Sequence, residues 1–214
     1  MLTKYIVNTN DLTLTTDVAE EPVTLIEMKT HLRVDHSDED DLIGNLIQAA
    51  REHVENETQT AMVERVYRAD LPDFWSALRL PLPPLQEIVS VKYYTNDSPE
   101  VLTALSDTLS SPLVTTDIFR VDLPKQLLYY TGSASWPSTA IRHDAVQITF
   151  KAGYAPTGSP LNYQAPLKES LRAAVKLIAA DLYENREAAG VGQGFTVYEN
   201  RTTKALLAPY RNWL

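Results

Sequence analysis

Hydrophobic positions along this chain change their period twice. Near the front, Leu42, Ile43, Leu46, Ile47, Ala50 and Val54 recur at helical spacing and define one apolar face. Thr24-Leu-Ile-Glu27 has the S/T-x-x-E form, in which each side chain satisfies a free N–H at a helix start. The pattern therefore predicts a short helix from Thr24 to about Leu32. A second helix is predicted, capped by Ser37 and ending near Thr58. Asp38, Glu39, Asp40 and Asp41 lie at its positive end, where acids are favoured.

The middle of the chain reads as β structure. Leu80-Pro-Leu-Pro-Pro-Leu85 is incompatible with a helix interior, because proline removes a donor and biases its predecessor toward extended geometry. Ile88–Tyr94 is rich in β-branched and aromatic residues and runs into the turn cluster Asn96-Asp-Ser-Pro99. Further predicted strands are Val63–Ala69, Ile118–Val121, Gln126–Thr131 and Ala145–Lys151.

Helical period then returns. A helix is predicted from Pro166, a residue favoured at the first helical position, to about Ala188, roughly 33 Å long. Leu167, Leu171, Ala174, Val175, Ile178 and Leu182 form its stripe. The fold class is α+β: a small helical bundle, with two N-terminal helices and a long C-terminal one, interrupted by a β insertion module. The predicted boundaries are an arm over 1–22, a helical core over 23–62 and 160–189, a β module over 63–159, and a hinge with a C-terminal segment over 190–214. The arm is polar, without steady period, and reads as an extended lead-in.

Charge sharpens this division. Residues 1–62 hold 4 Lys/Arg against 13 Asp/Glu, and the remainder holds 15 of each. An acidic front argues against wrapping nucleic acid, since phosphate binding takes clustered Lys/Arg. It reads more simply as a solvated helix face. Without cysteine there are no disulfides, thiolate metal sites or thiol nucleophiles, and a reducing cytoplasm fits. No apolar run reaches the roughly 18 residues that suggest a membrane span, and the first residues do not read as a secretory signal.

Candidate chemistry is thin. Gly190-Val-Gly-Gln-Gly194 follows a helix and precedes strand-like Phe195–Tyr198, the reverse of a dinucleotide loop, and reads as a hinge. Asp35–Asp41 has the acidity of a calcium loop. It lacks the glycine at position six, and Leu46 stands where position twelve would need glutamate. Among His31, His36, His53 and His143, His53 pairs with Glu57 at i, i+4, but no third ligand is near, so a surface pair is expected. Ser133 in Thr-Gly-Ser-Ala-Ser reads as a loop rather than a nucleophile elbow. The expectation is no catalytic residue, no metal and no cofactor.

The final residues invite a binding reading. Tyr210 and Trp213 are large amphipathic anchors, Arg211 offers bidentate contacts, and Pro209 ends a predicted short helix Thr203–Ala208. The segment is too small for a core of its own, so it reads as a docking tail that reaches a partner protein, with folding back onto its own helices as the alternative.

Several strings together resemble one family. They are Val23-Thr-Leu-Ile-Glu-Met-Lys-Thr-His-Leu-Arg-Val-Asp35, Asp40-Asp-Leu-Ile with Ala49-Ala-Arg, and Leu80–Leu85. Val146–Tyr154, Leu182-Tyr-Glu-Asn-Arg-Glu187 and Leu206-Leu-Ala-Pro-Tyr-Arg211 follow in order. From Val23 onward the chain is similar to head–tail connector (adaptor) proteins of tailed bacteriophages. That resemblance implies a non-enzymatic virion protein of the neck, assembled in the host cytoplasm as a homo-oligomeric, twelve-fold ring beneath the portal. Such a ring extends the DNA channel during genome packaging and presents a surface for a tail or stopper protein. Double-stranded DNA would pass through without specific binding, and no membrane is involved. Carried over by position, Leu206, Leu207, Tyr210 and Arg211 are implied portal contacts; Trp213 joins them on physical grounds. The alternatives are another neck component, such as a head-completion or tail-terminator protein, and a small hydrolase with an unrecognised site.

Overall fold

The computed structural model describes residues 4–16, 18–96, 102–109, 113–115, 119–130, 136–185 and 201–212. It is an α+β chain divided into two compact units, one formed by Met1–Val18 with Val63–Ala155, the other by Ala19–Met62 with Pro156–Trp213.

The first unit holds two five-stranded sheets. Its strands are β1 (Lys4–Ile6), β2 (Leu12–Leu14), β3 (Arg65–Leu71), β4 (Ala77–Arg79), β5 (Leu85–Tyr94), β6 (Leu102–Leu109), β7 (Leu113–Thr115), β8 (Phe119–Asp122), β9 (Leu127–Tyr130) and β10 (Val146–Ala152). One sheet runs β1-β4-β9-β8-β7 and the other β2-β3-β10-β5-β6. Strand β10 alternates cleanly, with Val146, Ile148, Phe150 and Ala152 buried. Its antiparallel register sets Phe150 opposite Tyr67 of β3 and Ile88 of β5, and Phe150 stacks on Tyr67 at 5.8 Å between centroids. The residues read as a lead-in carry a strand for each sheet: β1 pairs parallel with β4, and β2 antiparallel with β3. Tyr5 of β1 stacks on Trp75 at 4.6 Å.

Gly153, just after β10, has φ +113, and a Cβ there would stand 2.2 Å from the Val63 carbonyl oxygen. Glycine is the side chain this close backbone crossing accepts. Its N–H donates to Pro84 O and its carbonyl accepts from Gln86 Nε2.

The second unit is helical. Helix α1 (Leu25–Leu32) opens with the predicted capping box, Thr24 and Glu27 each bonding the other's backbone N–H. Helix α2 (Asp40–Thr58) buries Ile43, Ile47, Ala50 and Val54. Its N-cap is Glu39, not the expected Ser37, and no side chain caps it. Ser37 instead lends its carbonyl to the Asp40 N–H, which turns the chain before the helix begins. Helix α3 (Glu169–Glu184) buries Leu171, Ala174, Val175 and Ala179. It starts three residues beyond the expected Pro166, with Lys168 as N-cap, and has 16 residues, about 24 Å. Leu182, assigned to the apolar stripe, is 40% exposed. The stripe ends a turn earlier because the partner helix begins there: Tyr183 donates its hydroxyl hydrogen to Glu39, just before α2. Helix α4 (Arg201–Leu207) and a 3-10 turn, Ala208–Tyr210, complete the unit.

Candidate partner-binding site

The C-terminal segment is seated on α2 and α3 of its own unit. Leu207 is 2% exposed, and Thr203, one turn earlier, is buried with it on the inner side of α4. Pro209 lies within the 3-10 turn, which tightens the chain after Leu207. Tyr210 Oη lies 2.8 Å from Ser170 Oγ, in the first turn of α3. Arg211 Nη2 pairs with Glu57 Oε2 near the end of α2, and Asn212 N–H donates to Thr58 O at 2.9 Å. The segment thus closes the end of the helix pair where α2 stops and α3 starts.

This seat divides the expected contact residues. Leu207 points inward; Leu206, Tyr210 and Arg211 are half-buried and keep part of their surface toward solvent. Arg201, Lys204 and Ala205 are exposed on the outer side. Trp213 lies outside the described residues, as do the glycines at 190–194 and the expected strand 195–198.

A buried ion network stiffens the platform beneath. Arg51, 2% exposed, donates from Nε to Glu21 Oε2 at 2.8 Å and from Nη1 to Glu55 Oε2 at 2.9 Å. Glu55 Oε1 accepts the Met62 N–H at 2.7 Å. Burial works against the charge on Arg51, but Glu21 and Glu55 outweigh it and hold its pKa above the ordinary arginine value. On α3, Arg172 bonds Glu169, Glu27 and the Pro22 carbonyl, joining α3 to the start of α1. Burial disfavours the Glu27 carboxylate; the Thr24 N–H and Arg172 more than offset it, and its pKa falls below the ordinary value. The i, i+4 spacing of Arg51 and Glu55 was legible in the sequence. Glu21 and Ser170 carried no signal of their roles, because each meets a residue distant in the chain.

Other residues singled out by sequence do not converge. His53 is exposed, and Glu57 binds Arg211 rather than sharing a ligand with it. His143 is solvent-facing, and Ser133 lies outside the described residues. Among the described residues no group of three or more His, Asp or Glu could hold a metal ion, and no helix is long and apolar enough to cross a membrane.

A two-unit α+β chain with a helical unit closed by its own C-terminal segment is the class of molecule defined so far. Residues 22–120 match the family model described as phage gp6-like head-tail connector protein. The strings from Val23 to Leu85 fall inside this stretch, which spans the first two helices and much of the β region; those from Val146 onward lie beyond it. No curated protein matches the chain. Three solved structures share its fold at 21% identity, each match covering 95% of this chain and 96% of the other. They are chains from the neck of an empty GTA particle with C6 symmetry (TM-score 0.69), the virion of a native gene transfer agent particle (0.65), and the neck of a native GTA particle with C12 symmetry (0.66).

Proposed function

We propose that this chain is a structural virion protein of the neck, forming a homo-oligomeric ring below the portal that joins the head to the tail. The observation that carries the reading is the connector pattern over residues 22–120. Fold likeness over nearly the whole chain to two structures described as particle necks, one with C6 and one with C12 symmetry, supports a ring. A ring of identical subunits needs a heterologous contact whose rotation closes. The ring extends the DNA channel. Its acidic front suits a wall past which DNA slides without being held, because a basic wall would bind phosphates.

The portal contact is the C-terminal segment. Leu206, Tyr210 and Arg211 present its outward face and Leu207 anchors it from behind; Trp213 is proposed as a further contact by residue type. Tail or stopper proteins meet the ring elsewhere. The test is negative-stain imaging and light scattering of the full-length chain, alone and with the portal of its own particle. Rings, or a portal enlarged by a concentric layer, are expected. A chain that stays monomeric and leaves the portal unchanged would overturn the reading.

A further inference from the structure

Helix α1 is held in a different way from its neighbours. It is eight residues long and buries one of them, Met28, whereas α2 buries seven and α3 five. A helix shorter than about 12 residues is marginal in water by itself, so α1 depends on what docks it. Two ion pairs do so. Glu27 bonds Arg172 of α3, and Lys29 Nζ lies 2.6 Å from Asp40 Oδ1 at the start of α2. Leu25 and Leu32 are only half-buried.

Glu27 performs two tasks at once. Its Oε1 meets the Arg172 guanidinium, and its Oε2 accepts the Thr24 N–H that opens the helix. Thr24 in turn accepts the Glu27 N–H on its hydroxyl oxygen. The carboxylate reaches Arg172 from the same turn that it caps, so docking and winding of α1 are coupled. The chain on either side is fixed independently. Upstream, Glu21 is held by Arg51 and, through its carbonyl, by Gln164, while the Pro22 carbonyl accepts from Arg172 Nε at 3.3 Å. Downstream, Glu39 accepts the Tyr183 hydroxyl hydrogen and Asp40 begins α2. Arg172 also holds Glu169, so it keeps partners when Glu27 leaves.

We infer that α1 is a flap: residues 24–36 undock and unwind as one unit between fixed ends at 21–23 and 39–40, while α2 and α3 stay folded. The Glu27–Arg172 and Lys29–Asp40 pairs are its latch. Segments with little apolar burial open at lower free energy than the fold as a whole, and α1 has one buried side chain to lose. Opening bares Met28 and frees the Arg172 and Asp40 ends of the two pairs.

Hydrogen exchange of the full-length chain, followed residue by residue by NMR in low urea and corrected for unstructured-peptide rates, tests the flap. The amides of residues 28–34 are expected to exchange together, about tenfold or more faster than the buried amides of α2 and α3. Their urea dependence should be shallow, because little surface is exposed. Glu27→Gln retains a capping side chain but loses the charge, and should speed α1 exchange about tenfold. Leu207→Ala, on the C-terminal segment, should speed exchange in α2 and α3 and leave α1 unchanged, since flap opening does not pass through unfolding of the unit. Equal rates and urea slopes in all three helices overturn the flap, because α1 then opens only with the whole unit. So does protection that falls away toward both ends of α1, which is fraying. Exchange of α1 that is indifferent to Glu27→Gln, or accelerated by Leu207→Ala as much as α2, overturns it too.

Discussion

Tyr210 reaches back to Ser170, its phenolic oxygen 2.8 Å from the serine hydroxyl, and so pins the C-terminal segment to the start of α3. The two residues are forty positions apart in the chain, and Leu207, three residues before Tyr210, is buried. The segment is part of the helical unit's own packing, and any partner meets it from outside.

The first prediction separates anchor from outward face. Leu207→Ala should cost about 2–5 kcal/mol, the range for truncating a buried leucine, and Tyr210→Phe about 0.5–1.5 kcal/mol for one hydrogen bond. Deleting residues 199–214 should lower the melting temperature clearly. Arg211→Ala, at a partly exposed ion pair, should change stability by about 1 kcal/mol or less while weakening portal attachment. Thermal unfolding beside portal co-sedimentation reads both effects. An unchanged melting temperature after the deletion would contradict the seat.

Arg51 offers a second test. Arg51→Met removes the Arg51 guanidinium from the buried pair with Glu55, and removal of one partner from a buried pair costs about 3–5 kcal/mol. Replacing both, as Arg51→Met with Glu55→Gln, should recover part of that loss. Urea denaturation midpoints of the three proteins decide it. A single variant as stable as wild type would mean that the network contributes nothing.

The acid limb of stability follows from Glu27. Its folded pKa lies below its ordinary value of 4.5, so ionised Glu27 stabilises the fold. That contribution is fully present above about pH 4.5 and is lost as pH falls through the lower, folded value. Glu27→Gln should therefore lower the melting temperature at neutral pH and flatten its fall in acid. A variant whose pH profile runs parallel to wild type from pH 6 to pH 3 would refute the assignment.

What the sequence could show depended on how local each signal was. The face of α2 was legible because six apolar side chains repeat with the helical period over thirteen residues. The capping box was legible because Thr24 and Glu27 lie three apart. Strands β4 and β7, at three residues each, are too short to establish an alternation, and β1 and β2 are ordered by pairing with distant strands. The C-terminal segment falls between these cases. Residue type marked Tyr210 and Arg211 as anchors, but that Leu207 faces inward while Leu206 stays half-exposed is decided by α2 and α3, which local sequence does not encode.

Two glycines give a prediction of opposite sign from one substitution. Gly44 lies within α2, and a Cβ added there would have no neighbour within 4 Å, so alanine removes only the entropy cost of glycine in a helix. Gly44→Ala should stabilise by about 0.5–1 kcal/mol. Gly153 has φ +113, and its added Cβ would stand 2.2 Å from Val63 O and 2.7 Å from Glu64 N, both backbone atoms. The left-handed conformation alone costs a non-glycine residue about 1–3 kcal/mol, and relieving the overlap requires moving the chain entering β3. Gly153→Ala should therefore destabilise by more than Gly44→Ala stabilises, visible as melting shifts in opposite directions. If both variants melt on the same side of wild type, the close crossing at Val63 is not the constraint on that turn.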